Sequence, residues 1–203
     1  MRTLAVVVIA ALASSAPAAA EDAMAPARAP GRWAVSVFGG WEQSDAPVTQ
    51  VFRVIPNTDT RADNFVGGAV SYSVLRFWRD FTAEVEVGAG KRFPHSGATE
   101  GWAALFVRYH LPWRDTVVTT LAASTGVNYA DKLPISEVFA TYEDSRARSH
   151  LLHYFAPEIT FALPQRPEHE LFVRVHHRSG VWGLFNGVWG GADVATLGYR
   201  YRF

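Results

Sequence analysis

From Arg32 to the terminal Phe203, apolar side chains recur at every second position, in segments bounded by Gly, Pro, Asp and Asn. Only an extended, pleated chain puts alternate residues on one face, so this period excludes a helical fold and predicts an all-β chain. The candidate strands are residues 32–42, 64–75, 81–92, 101–111, 116–129, 149–163, 170–180 and 191–203. Each is close to or above the roughly 9 to 11 residues that a tilted strand needs to cross a membrane. Their connections alternate in length. Residues 76–80, 112–115 and 164–169 form short turns, whereas 43–63, 94–100, 130–148 and 181–190 are longer loops. With the N-terminus in the periplasm, the short turns fall inside and the long loops outside, as in bacterial barrels. An even number of antiparallel strands also closes the sheet, and hydrocarbon tolerates no unpaired edge. The expected fold is an eight-stranded antiparallel up-and-down transmembrane β-barrel over residues 31–203.

The faces follow from the alternation. Ala103, Leu105, Val107, Tyr109 and Leu111 share one face and Arg108 and His110 the other; Ala83, Val85, Val87 and Ala89 likewise oppose Glu84 and Glu86. In a membrane barrel the apolar rows meet lipid, and the carboxylates and arginines pair inside a narrow lumen filled by side chains, which leaves no pore. A soluble barrel would reverse the two faces, and alternation alone does not choose between them. The two ends of the chain do. Arg2, the apolar run from Leu4 to Leu12 and then Ala18-Ala19-Ala20 read as a signal peptide cleaved after Ala20, with residues 21–30 a flexible Ala- and Pro-rich lead-in. The last segment, Leu197-Gly198-Tyr199-Arg200-Tyr201-Arg202-Phe203, is apolar or aromatic at every odd position and resembles the C-terminal signal by which barrel-assembly machinery recognises outer-membrane proteins. Most of the seven tryptophans (Trp33, Trp41, Trp78, Trp102, Trp113, Trp182 and Trp189) fall near strand ends, where interfacial girdles lie. Cysteine is absent, so no disulfide or thiolate site holds this exported chain together. The 19 basic side chains balance the 19 acidic ones, which argues against a nucleic-acid partner.

The stretch with chemical content is Val173-Arg174-Val175-His176-His177-Arg178-Ser179-Gly180. His177 and Ser179 are two apart on one strand and share a face. Counting back from Ser179 through His177 reaches Val175, Val173 and Leu171, so the pair caps a lipid-facing row at the outer end of its strand. Counting back from Phe203 along the last strand reaches Asp193 on that same face, near the same end. A serine becomes a nucleophile beside a histidine base, and the histidine needs a carboxylate to fix its tautomer and stabilise the imidazolium. A metal site built from His176 and His177 with His150 or His153 is disfavoured, since adjacent strand residues face opposite sides.

These residues resemble the lipid A 3-O-deacylases of the PagL type, eight-stranded outer-membrane barrels with a His-x-Ser pair near the outer end of the penultimate strand and a Glu at the start of the last. The match is His177 and Ser179, with Asp193 in the Glu position. The resemblance covers the barrel plan broadly, and its specific motif is confined to the last two strands. It implies a serine esterase that removes an acyl chain, the 3-linked hydroxyacyl group, from lipid A in the outer leaflet, with no metal or organic cofactor. The sequence departs from the family at two places. Asp193 is shorter than Glu, and the Asn that follows the family's serine, associated with its oxyanion hole, is here Gly180. The Gly180 backbone N–H and the Asn186 side chain are the candidate oxyanion donors, and Phe185, Val188 and Trp189 of the glycine-rich loop are candidate acyl-chain contacts. Two other readings stand beside the esterase: a non-catalytic barrel that binds a partner through its outer loops, above all residues 130–148, and a periplasmic lipid-binding barrel.

Overall fold

The computed structural model describes residues 31–43, 62–139 and 147–203. The signal peptide and lead-in expected over residues 1–30 lie outside these, as do most of the first outer loop and part of the third. Among the described residues the strands are β1 (Trp33–Glu42), β2 (Asn64–Phe77), β3 (Phe81–Phe93), β4 (Thr99–His110), β5 (Val118–Ala130), β6 (Leu151–Phe155), β7 (Glu158–Leu163), β8 (Arg166–Ser179) and β9 (Gly191–Arg202). Every pairing is antiparallel, and β1 pairs with both β2 and β9, which closes the sheet. Both β6 and β7 lie between β5 and β8. They are two halves of a single stave, expected as one strand over 149–163. The break falls at Ala156-Pro157, where proline has no N–H for the ladder. Counted as staves, the fold is a closed eight-stranded antiparallel barrel. β8 begins at Arg166, four residues earlier than the alternation indicates, and the turn from β7 shrinks to Pro164 and Gln165.

The faces fall as the alternation requires. Val37, Val87, Leu105, Leu171 and Leu197 stand exposed on the outside, while Arg92, Arg108, Arg174, Arg200, Glu84 and Glu158 are buried within. An unpaired buried charge costs several kcal/mol, so the lumen is stable only if each charge finds partners. Arg174 holds Glu86 through two bonds of 2.8 and 2.9 Å and donates its Nε to Glu158 at 2.8 Å. Glu158 also receives Arg108 at 2.6 Å and Arg200 at 2.9 Å. Nearer the outer end, Arg92 bridges Glu42 and Glu100, and His176 Nε2 lies 2.9 Å from the other Glu100 oxygen. Between these tiers Phe38, Phe65, Trp102 and Phe172 form an aromatic layer on which His176 packs, its ring centroid 4.6 Å from that of Phe65. Gly198 makes room for it, because a Cβ there would meet the Phe172 ring at 2.3 Å. Trp102 thus departs from the expected girdle. Its even position turns it inward, where Nε1 donates to Glu86 at 3.0 Å. Trp33, Trp78 and Trp113 at the periplasmic end, and Trp182 and Trp189 at the other, are exposed as girdle residues should be.

One element has no counterpart in the alternation. Residues after Pro134 in the third outer loop wind into a short helix, α1 (Ile135–Phe139). It caps the outer mouth: Ser136 Oγ donates to Glu42 at 2.6 Å, and Glu137 is buried with its carboxylate 3.0 Å from Arg178. That contact lacks hydrogen-bond alignment. Burial therefore outweighs the attraction of Arg178 and Arg92 and pushes the Glu137 carboxyl up to about 7.

Candidate active site

The outer ends of β8 and β9 carry the residues picked out by parity. Asp193 is the direct register partner of His177, and Gly191 is that of Ser179. Cross-strand partners hold their Cβ atoms about 4.5–5.5 Å apart. A carboxylate opposite an imidazole is therefore within reach, and the shorter Asp suffices where the strands place it directly across. His177 Nδ1 lies 2.5 Å from Asp193 Oδ1, and His177 Nε2 lies 2.8 Å from Ser179 Oγ. With Nδ1–H donating to Asp193, Nε2 is left as the acceptor for the Ser179 hydroxyl. Gly191 is required for this: a Cβ there would stand 2.8 Å from the Ser179 Cβ. The side chains of His177 and Asp193 are 16% and 13% exposed, open on the exterior but shielded enough for their charges to interact strongly. The large cavity, about 510 Å³ and lined by Arg76, His110 and Glu170 among others, lies at the periplasmic end and takes no part in this row.

The two oxyanion candidates do not stand free. Gly180 N–H donates to Gly190 O at 3.0 Å. Glycine is needed there for close approach, because a Cβ would meet the Val188 carbonyl oxygen at 1.8 Å. Asn186 Nδ2 donates to Ser149 Oγ and Leu151 O, each at 2.9 Å, tying the β8–β9 loop to β6. Asn186 also sits at φ 54°, a left-handed conformation that Asn tolerates well. Of the proposed acyl contacts, Trp189 is exposed, Phe185 half-buried against the His153 ring, and Val188 buried beneath the loop. Trp182 and Leu184 are instead the most exposed apolar side chains there.

Two neighbours are not evident from the sequence. Gln43 follows β1, and its N–H donates to Asp193 O at 2.9 Å, so it is the flanking residue of Asp193 on the other side. Its Nε2 is buried. His153 on β6 is the register partner of Ser179 and also faces outward. Both follow from β1 and β6 flanking β9 and β8, a neighbour relation that only the closed topology supplies.

No family model matches the chain, and no curated protein matches it. Solved structures do. The outer membrane enzyme PagL is similar over 84% of this chain and 99% of its own, at 13% identity and a TM-score of 0.56. Neisserial surface protein A is similar over 84% and 96%, at 11% identity and a TM-score of 0.50. At such identities the likeness is one of fold: a small outer-membrane barrel. One of these proteins is an enzyme and the other a surface protein, so the shared barrel does not decide between activity and its absence. A closed barrel with an apolar exterior is the architecture of the Gram-negative outer membrane, and that is where this chain resides.

Proposed function

We propose that the protein is a serine esterase of the PagL type that hydrolyses an acyl ester of lipid A in the outer leaflet, the 3-O-linked hydroxyacyl chain being the substrate the resemblance implies. The observation that carries this reading is the hydrogen-bonded row Ser179–His177–Asp193 on the lipid-facing exterior, beside the outer rim. A polar row on a lipid-facing surface carries a desolvation cost, and its place at the outer ends of β8 and β9 suits it to meet ester bonds near the outer-leaflet headgroups. Ser179 Oγ attacks the ester carbonyl as His177 Nε2 takes its proton, and Asp193 stabilises the resulting imidazolium. Collapse of the tetrahedral intermediate releases the sugar hydroxyl, protonated by His177, and leaves an acyl-serine. Water, deprotonated by His177, then frees the fatty acid. The exposed Trp182 and Leu184 are suited to rest among acyl chains at the interface.

The test is mass spectrometry of lipid A from Gram-negative cells expressing wild type or Ser179→Ala at matched folded levels. Loss of one hydroxyacyl chain with wild type alone is expected. Identical spectra would leave a barrel without this activity.

A further inference from the structure

The esterase reading needs a donor for the oxyanion, and both residues expected to supply one are engaged elsewhere: Gly180 N–H with Gly190 O, and the Asn186 amide with Ser149 and Leu151. We infer that His153 is a further catalytic residue, whose ring N–H stabilises the oxyanion formed when Ser179 attacks an ester carbonyl. The inference rests on the esterase reading and adds a residue to it.

Its basis is placement. His153 is paired directly with Ser179 across the β6–β8 ladder, and both face outward. Their Cβ atoms are therefore about 4.5–5.5 Å apart, which leaves room for one carbonyl oxygen between ring and hydroxyl. His177 precedes Ser179 by two residues on β8 itself, and Asp193 lies across from His177 on β9. Because His177 must hand its proton to the departing sugar oxygen, the leaving group lies along β8 toward His177, which leaves the carbonyl oxygen free to point across the ladder toward β6. That is the side on which His153 stands.

The ring is also prepared for the task. Its Nε2 lies 2.9 Å from Thr125 Oγ1. With the Thr125 hydroxyl donating to Nε2, the ring proton resides on Nδ1, which has no partner among the described residues. Phe185 from the β8–β9 loop packs on the ring at 5.5 Å between centroids, holding it and excluding water from one side. In the attack, the Ser179 Oγ–C bond forms, the carbonyl π pair moves onto oxygen, and the proton of Ser179 passes to His177. The new negative charge meets the His153 N–H. When the C–O bond to the sugar breaks, the pair returns to the carbonyl and the His177 proton leaves with the alcohol. A donor aimed at the oxyanion strengthens in the transition state and so acts on kcat more than on KM.

The experiment uses purified full barrel refolded in detergent micelles, with lipid A as substrate and fatty-acid release as readout. Heat-modifiable electrophoretic mobility verifies folding of each variant. His153→Ala is expected to lower kcat about 100- to 1,000-fold with KM nearly unchanged. His153→Gln, which keeps a side-chain N–H, should recover part of that loss. A folded His153→Ala that keeps kcat within about threefold, while Ser179→Ala is inactive, overturns the role of His153 and leaves the esterase standing. Equal losses in both His153 variants, expressed mainly in KM, overturn it too, since they indicate a packing role. A wild-type barrel that releases nothing sinks the esterase reading, and this inference with it.

Discussion

His176 and His177 are consecutive in β8, and the pleat sends them to opposite worlds. His176 is fully buried in the lumen, bonded to Glu100 and Tyr154 and stacked on Phe65. His177 stands on the lipid side between Ser179 and Asp193. Arg174 and Arg178 belong with the first, Val175 and Ser179 with the second. The inner face closes a buried network of paired carboxylates and guanidiniums. The outer face holds a short polar row, Ser179–His177–Asp193, on an otherwise largely apolar exterior. Parity alone thus sends one histidine into the buried charge network and the other into the proposed catalytic row.

His177→Ala should lower esterase activity most, by roughly 10³-fold or more, while leaving the urea unfolding midpoint near that of wild type. Its counterpart on the inner face is Glu158→Gln, which takes the shared carboxylate from Arg108, Arg174 and Arg200 and leaves them Glu84, Glu86 and Glu170 in turn. That variant should lose about 3–5 kcal/mol of stability in the same urea titration, and its folded fraction should turn over at the wild-type rate. His176→Phe keeps the stacking on Phe65 but abandons Glu100 and Tyr154, and should cost roughly 1–3 kcal/mol without altering kcat. A loss of activity in His176→Phe with stability intact would erase the distinction between the two faces.

The smallest effect concerns α1. Glu137 titrates at about 7 when buried against the mouth, against an ordinary value of 4.5 when the helix is undocked, so docking is favoured most below pH 4.5 and loses that contribution as pH rises through 7. Arg178 and Arg92 oppose the shift, and Glu100 and Glu42 add to it. Hydrogen exchange at residues 135–139 should quicken between pH 5 and pH 8 beyond the intrinsic rate increase, and Glu137→Gln should remove that excess.

Much of this architecture is legible in the amino-acid sequence. Period-two alternation with turn residues between segments marks out the strands, and counting parity back from Ser179 and from Phe203 puts His177, Ser179 and Asp193 on one face at one end. Direct pairing of His177 with Asp193 is the register the β8–β9 hairpin adopts, and it brings the shorter Asp side chain within reach of the ring. What stays hidden depends on contacts between segments distant in sequence. The break between β6 and β7 has Pro157 as its local sign, yet only the two ladders on either side reveal one stave in two pieces. Gly180 reads as a free backbone donor because the sequence does not show the Gly190 carbonyl that takes its N–H. Asn186 is a loop tie for the same reason, and Trp102 is an interior residue because its own even position outranks its nearness to a strand end. The Pro134 that opens α1 is a usable signal, since proline favours the first turn of a helix.

The proposed esterase on the outer face of β8 can be assayed on the isolated barrel. The most direct measurement incubates purified, refolded barrel with lipid A in detergent micelles and quantifies released hydroxy fatty acid by gas chromatography and mass spectrometry, for wild type and for Ser179→Ala. The wild type is expected to release one kind of hydroxy fatty acid stoichiometrically, and Ser179→Ala none. Equal release by both proteins, or none by a folded wild type, would contradict the claim.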